Sequence, residues 1–419
     1  VKPLHHLAVF GDLFDLPARA RALLGEDVHI TAFVQRSRMA GCDGIEHARA
    51  VVALADDATA QEWSRAVHAV HATRPFTHAA ALVDHLACEA AAAFEGTGVH
   101  FHRPETVGMV RDKRSMREEL DRRGLYPVPH RLVHDADAAR TTVRELGVPC
   151  VAKPVVGTGS AGAVVVRAEE EAEAAYREAS ADGSGVLLEH FVSGPQYSVE
   201  GFSEGGEHVV LAVTRKYSDP RTLVELGHVL PAPLPDEDRE AVERCAVSVL
   251  DAVGLQFGPS HTEVVLGPDG PMPIETHARV GGDDIWLMAH EATGVDLDVV
   301  QPDQILGARV MKDVRATLAG ERPERPYRAV WFGGARTEGK FAGLTVPASV
   351  RDHEHVAVTA LRKEGDPVRP LSSSDDRVFK VRASGTSAQE ALEAARSAAA
   401  AVAAASDLDT ALTDLGATL

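Results

Sequence analysis

The chain has 419 residues, 45% hydrophobic and 25% charged but only 5% aromatic, long enough for two or three packed layers and unlike a disordered, collagenous or coiled-coil protein. Lysine and arginine number 43 against 62 acidic residues, a formal net charge of −19, which argues against a nucleic-acid surface built on phosphate neutralisation but leaves room for a local basic site. Cys42, Cys88, Cys150 and Cys245 stand far apart without a CxxC pair, no apolar run can span a bilayer, and the N-terminal residues read as a strand rather than a signal peptide, so a cytoplasmic protein without a membrane partner is expected.

In chain order, apolar runs at 6–10, 28–34 and 50–54 alternate with helix-like stretches at 61–72 and 78–94. This rhythm predicts a small doubly wound, Rossmann-like α/β domain over residues 1–107. A helix over 111–123 ends at Gly124 and is followed by Pro127 and Pro129. From Val148 the pattern is strand (148–153), glycine-rich turn, strand (163–167), Glu-rich helix and strand (186–192), an α+β unit over 108–200. Segments 197–202 and 209–215, joined through Gly205 and Gly206, predict a hairpin; Asp236 is read as the N-cap of a helix through Val253, and a second hairpin follows in a unit over 201–310. Strands at 327–332 and 378–383, with an Ala-rich helix opened by the Ser387/Glu390 capping-box pattern, predict a third, C-terminal lobe over 311–419.

The second hairpin carries the metal argument. It reads as strand from Pro259, tight turn over Gly267-Pro268-Asp269-Gly270, and strand to Arg279. With the turn centred on Asp269, Glu263 faces Glu275 and His261 faces His277 on one side, Arg279 follows by the period of two, and Val264, Leu266, Met272 and Ile274 fall on the other. Two carboxylates with Cβ atoms about 4.5–5.5 Å apart repel unless a cation or proton lies between them. A hard divalent ion, Mg²⁺, suits oxygen donors beside phosphate, while the histidines also admit zinc. Arg279 and Gly281-Gly282 beyond it offer a cation and accessible backbone amides to an anion.

Gly157-Thr158-Gly159-Ser160-Ala161-Gly162 matches GxGxxG formally, but a β-branched strand follows where the dinucleotide fingerprint needs a helix. It therefore reads as a hairpin flap whose amides can close over phosphates. Lys153 ends the strand before it, and Lys113 lies on the preceding helix.

The order Lys113, Lys153 before a glycine flap, Glu189-His190-Phe191-Val192, Glu263, then Glu275-x-His277-x-Arg279-x-Gly281-Gly282 resembles the ATP-grasp superfamily. Within it the chain looks most like the carboxylate–amine ligases that include L-amino-acid (dipeptide) ligases. The resemblance implies an ATP-grasp fold: an N-terminal open α/β domain, a two-lobed nucleotide-binding centre and a C-terminal α+β lobe. It further implies ATP and two Mg²⁺ ions, for which Mn²⁺ can substitute, and small-molecule carboxylate and amine substrates; a homodimer is a family-based expectation. By this resemblance Lys113 and Lys153 contact phosphates under the flap, Glu189 to Val192 meet the adenine edge, and Arg279 steadies the transferring phosphoryl group. Glu263 and Glu275 hold metal, and His277 stands where most of the superfamily has Asn, as a third ligand. Gln196 replaces a Glu common in relatives. Gly281, Gly282, Asp283, His261, Glu225 and His228 are placed near substrate, with His261, His228 and Asp283 as candidate proton acceptors. Two other readings are a bicarbonate-activating or purine-type ligase and a non-catalytic ATP-binding module; retention of both lysines, Glu263, Glu275 and Arg279 speaks against the module.

Overall fold

A computed structural model describes residues 5–409 apart from Thr158, Asp182, Ser184, Arg221, Arg322, Pro323 and Arg325. The flap residue Thr158 therefore lies outside the described residues. The N-terminal region runs β1 (His6–Phe10), α1 (Leu16–Leu24), β2 (His29–Gln35), β3 (Ala50–Leu54), α2 (Ala60–Thr73), β4 (His78–Ala81) and α3 (Ala87–Phe94). Its parallel sheet has the order β3-β2-β1-β4. Every residue of β1 is buried because both faces are covered: Leu7 and Val9 join a core with Leu16 and Ile30, while Ala8 and Phe10 join Phe33, Trp63 and Phe94 on the other side. The expected helix over 78–94 is in fact a strand and a shorter helix. Its alanines favour a helix locally, but residues 78–81 gain a parallel partner in β1, and tertiary pairing overrides propensity. The loop that this break creates carries Asp84.

Helices α4 (Pro104–Arg111) and α5 (Lys113–Arg122) follow, α5 capped by the Asp112 carboxylate on the Ser115 amide at 2.8 Å. The lid then comprises β5 (His130–Val133), α6 (Ala136–Leu146), β6 (Cys150–Pro154), β7 (Val164–Val166), α7 (Ala172–Ala179) and β8 (Val186–His190), an antiparallel sheet in the order β5-β8-β6-β7. The glycine flap is the β6–β7 turn, as the sequence suggested.

The remainder is built on one eight-stranded sheet. Its elements are β9 (Gln196–Glu204), β10 (Glu207–Ser218), β11 (Glu225–Leu230), α8 (Asp236–Val253), β12 (Phe257–Gly267), β13 (Gly270–His277), α9 (Ile285–Thr293), α10 (Leu297–Ile305) and α11 (Met311–Leu318). After these come β14 (Tyr327–Gly334), β15 (Gly339–Lys340), α12 (Ala348–Arg351), β16 (Val356–Ala360), β17 (Pro367–Val368), β18 (Arg377–Gly385) and α13 (Ala388–Ser406). The strand order β13-β12-β9-β10-β11-β14-β18-β16 joins the C-terminal strands directly to the metal-hairpin sheet, so the third lobe completes the same core. Two caps differ from expectation. Pro235, not Asp236, is the N-cap of α8, and the acids Asp236, Glu237 and Asp238 occupy its first turn, where the helix dipole favours them. Ser387 does cap α13, but the Glu390 carboxylate takes the Thr386 amide. Helix α8 covers one face of the sheet through Tyr197, Val199, Val213 and Val264, leaving Lys216, His261 and Glu263 on the other. No helix among the described residues is long and apolar enough to cross a membrane.

Candidate active site

A cleft of about 950 Å³ lies between lid and sheet. Lys113, Lys153, Gly157, Ser160, Ala161 and Glu189 to Val192 line it from the lid side, and Lys216, Glu263, Ile274 and Glu275 from the floor. The β12–β13 register pairs His261 with His277 and Glu263 with Glu275, as the hairpin symmetry predicted. The route to that register differs. From Gly267/Gly270 to Val264/Pro273 the pairs run one number lower, and a bulge between Glu263 and Val264 restores them. The extra residue is Ile274, which turns into the cleft instead of joining Val264 and Leu266 on the α8 face.

Both carboxylates are held by ammonium groups. Lys113, at the start of α5, places Nζ 3.0 Å from Glu275 and donates to the Gly157 carbonyl at 2.8 Å, tying the flap to the floor. Lys216 on β10 bridges Glu263 and Glu225, while Gln196 donates to the other Glu263 oxygen at 2.9 Å. Gln196 is thus a donor at the position where the resemblance led to the expectation of an acid. Burial alone would raise these carboxyl pKa values, but Lys216 and His261 outweigh it and hold Glu263 at about 2, and Lys113 and His277 hold Glu275 well below the usual range. On the lid, Glu189 accepts from Arg117 at 2.9 Å and from Lys153 at 2.5 Å. Opposing burial, these two cations lower it to about 2. The amides of His190 and Phe191 bond to the carbonyls of Pro129 and Pro149 at 2.9 and 3.2 Å, fixing this stretch against the lid.

The flap is seated on the sheet. Ser160 Oγ donates to the Leu223 carbonyl at 3.0 Å, and the Ser374 amide to the Gly159 carbonyl at 3.4 Å. Gly159 and Gly162 take left-handed φ values of +67° and +73°, which a glycine accepts without strain.

Arg279, His277 and the expected substrate residues lie behind the residues that line the cleft. Asp84, from the N-terminal region, accepts from Arg279 Nε at 2.7 Å and contacts His277 Nδ1 at 3.2 Å. The latter is an ion-pair contact rather than an aligned hydrogen bond, since Nδ1 counts as unpaired by hydrogen-bond geometry. His277 Nε2 lies 3.2 Å from Glu275. Although burial would lower it, the His277 pKa is raised by these two carboxylates, and the ring stands between them, with Nε2 toward Glu275 and Nδ1 toward Asp84. His261 is likewise pushed up, against burial, to about 9 by Glu200 and Glu263. It contacts Glu200 at 2.9 Å through Nδ1 and Glu263 at 3.4 Å through Nε2.

Gly281 has a different reason from anion binding: a Cβ there would sit 2.7 Å from Glu200 Oε2 and 2.9 Å from His261 Nδ1. The Gly282 carbonyl accepts the Ile285 amide at the start of α9. Asp283 and Asp284 both adopt positive φ, 58° and 62°, strain held in place by Arg377 on Asp283 at 2.6 Å and Lys380 on Asp284 at 2.6 Å. His228 Nε2 reaches Asp283 at 3.1 Å and Glu225 at 3.7 Å. Among the described residues Glu225, His228 and Asp283 are the one trio of ligand-type side chains with atoms within 4.8 Å of one another. Arg377 and Lys216 already neutralise that trio. The expected metal set is not clustered this way, yet Glu263 and Glu275 are hard oxygen donors paired across the hairpin on the cleft lining, the donor type that suits a divalent cation beside phosphate, with the ammonium groups of Lys216 and Lys113 as their counter-ions.

Sequence reasoning missed Lys216, Asp84, Glu200 and Arg117. Lys216 had a signal, a second charge directly after Arg215 beyond the apolar run 209–213; the other three had none that was local.

Residues 146–286 match the ATP-grasp domain and residues 331–405 the L-amino acid ligase C-terminal domain 2. An uncharacterized protein of Sinorhizobium fredii is 34% identical over 46% of this chain, which spans 41% of that protein's length. A formate-dependent phosphoribosylglycinamide formyltransferase of Burkholderia vietnamiensis is 29% identical over 76% of this chain and 78% of its own. In three dimensions the L-amino acid ligase from Bacillus licheniformis superposes with a TM-score of 0.75 at 23% identity, covering 93% of this chain and 95% of that one. The chain thus carries an ATP-grasp domain and an L-amino acid ligase C-terminal domain 2, in a fold similar to that of the Bacillus licheniformis enzyme.

Proposed function

We propose that the protein uses ATP to join a carboxylate to an amine, with amino acids or amino-acid-like compounds as substrates, and releases a dipeptide or amide with ADP and phosphate. The observation that carries this reading is the cross-strand pair Glu263/Glu275, each carboxylate under a lysine and facing the flap. A carboxylate is a poor acylating agent, so a carboxylate oxygen first attacks the γ-phosphorus of ATP, the bond to ADP breaks, and an acyl phosphate forms. The amine then attacks the acyl carbon, phosphate leaves, and the nitrogen gives up a proton. Mg²⁺ bound by Glu263 and Glu275 would neutralise phosphate charge. Lys113 and Lys153 supply positive charge beside the flap, Arg279 is steadied by Asp84, and flap amides exclude water from a hydrolysable anhydride. Of the three candidate proton acceptors, His261 is held between Glu200 and Glu263 and Asp283 is committed to Arg377, while His228, whose Nε2 contacts Asp283, keeps a buried Nδ1 without a hydrogen-bond partner.

The formyltransferase relative favours a second reading, a purine-type ligation. Both are tested by one matrix: ADP and phosphate release with Mg²⁺-ATP, scored across pairs of amino acids and across formate with phosphoribosylglycinamide, with product masses. Release that needs both an amino acid carboxylate and an amine, and yields their condensation mass, supports the proposal. Turnover confined to the formate pair, or nucleotide binding without turnover on any pair, overturns it.

A further inference from the structure

A second cavity, of about 580 Å³, lies away from the cleft at the seam between the N-terminal region and the sheet. Its charges are uneven. Arg103 and Arg309 line it, and neither guanidinium group forms an ion pair or hydrogen bond with another described residue, in a chain whose acids outnumber its bases. The single carboxylate of the lining, Glu204, accepts the Val310 amide at 2.9 Å. One wall is flat and aromatic: the His102 ring stacks on Phe257 with centroids 4.0 Å apart and planes 5° from parallel, and His100 lies 4.2 Å from the same ring. Burial pushes His102 down to about 4, so this wall is uncharged at neutral pH. Helix α4 starts beside the cavity and directs the first-turn residue Thr106 to its edge, adding the positive end of a helix dipole to the two guanidinium groups.

Three elements run from this cavity into the active site. β4 begins at His78 in the cavity wall and leads to Asp84, which holds Arg279. Helix α4 begins beside Arg103, and two residues past its end stands Lys113, bonded to Glu275. β12 begins at Phe257 and carries His261 and Glu263.

We infer that this cavity is an effector site for a small organic anion, a carboxylate or phosphate ester with a flat or compact body, gripped by Arg103 and Arg309, and that its occupancy is coupled to the nucleotide cleft. Coupling of two binding sites is reciprocal, so it is read as a change in nucleotide affinity. The coupling half rests on the proposed ATP site; the binding half does not.

The test uses the whole chain and two probes, citrate and ribose 5-phosphate, which distinguish a carboxylate from a phosphate ester. Calorimetric titration of each probe into protein saturated with Mg²⁺-ADP keeps the cleft filled. At least one probe is expected to bind, the R103A/R309A variant to lose tenfold or more in that affinity, and R103K/R309K to retain part of it. Both arginines are exposed, and unchanged thermal unfolding of the variants confirms that the fold survives. In the wild type the same probe is expected to shift the ADP dissociation constant at least threefold, and in R103A/R309A to leave it unmoved. Absence of binding by either probe, binding that R103A/R309A keeps in full, or binding that leaves ADP affinity unchanged overturns the inference. Failure of ADP itself to bind without any probe would instead strike the proposed function.

Discussion

The N-terminal parallel sheet and the sheet beneath the cleft treat buried ionisable groups in opposite ways. In the first, His6 is fully buried, contacts Thr31 Oγ1 at 2.8 Å and the Arg74 carbonyl at 3.0 Å, and is driven by burial to about 4, which keeps it neutral. In the second, Glu263, Glu275 and Lys216 keep their charges because each has a counter-ion. Burial without an opposite charge removes the charge; burial with one preserves it. The neutral arrangement suits a scaffold, whereas the charged one holds electrostatic groups ready for a phosphoryl group without reorganisation. The lid is an intermediate case, since its charged triad of Arg117, Glu189 and Lys153 is closed on itself.

That comparison breaks most readily at the triad. Glu189→Gln leaves Arg117 and Lys153 buried with no carboxylate, and removing one partner of a buried pair costs about 3–5 kcal/mol. Denaturant unfolding and hydrogen exchange should show the loss concentrated in the lid strands. Unchanged lid protection would mean the triad is not what stabilises this sheet. Next in size is Glu275→Gln on the floor. Here a stable fold is expected, because Lys113 keeps its bond to the Gly157 carbonyl, with ADP release reduced about 10²–10³-fold, the scale of losing one electrostatic contact to a transition state. Near-normal turnover at saturating Mg²⁺ would remove Glu275 from its assigned role.

A smaller effect tests the bridge between the two regions. Asp84→Asn withdraws the charge that holds Arg279 and His277, and a charge-assisted hydrogen bond is worth about 1.5–3 kcal/mol. The expected result is about a ten- to hundredfold fall in kcat with ADP affinity retained. A fall in ADP affinity with kcat unchanged would place Asp84 on the nucleotide rather than behind Arg279.

Much of this chemistry was legible in the sequence because it is local. The period of two and the symmetry of one hairpin brought Glu263 to Glu275 and His261 to His277, and β-branched Val164 to Val166 distinguished a flap from a dinucleotide loop. What was illegible is the set of partners that keep those residues charged. Lys216 meets Glu263 from 47 residues away and Asp84 meets Arg279 from 195, distances at which no spacing rule operates. Ile274 entered the cleft through a bulge, which alternation cannot register. Alanines 79–81 read as helix because a free edge on β1 leaves no mark in their own sequence.

The last and smallest effect sits at His6. Its folded pKa of about 4 lies below its ordinary value of 6.5, so between these values the unfolded chain binds more protons than the folded one. Stability from this group is complete above about pH 6.5 and is lost as pH falls through about 4, with a slope of at most about 1.4 kcal/mol per pH unit. His6→Gln can keep a polar contact with Thr31 but cannot take up a proton. Denaturant midpoints measured from pH 7 down to 4.5 should therefore decline less steeply in the variant than in the wild type, whatever the offset between them at pH 7. Parallel curves would show that the N-terminal sheet does not exclude the charge, and that the contrast with the charged floor is one of degree.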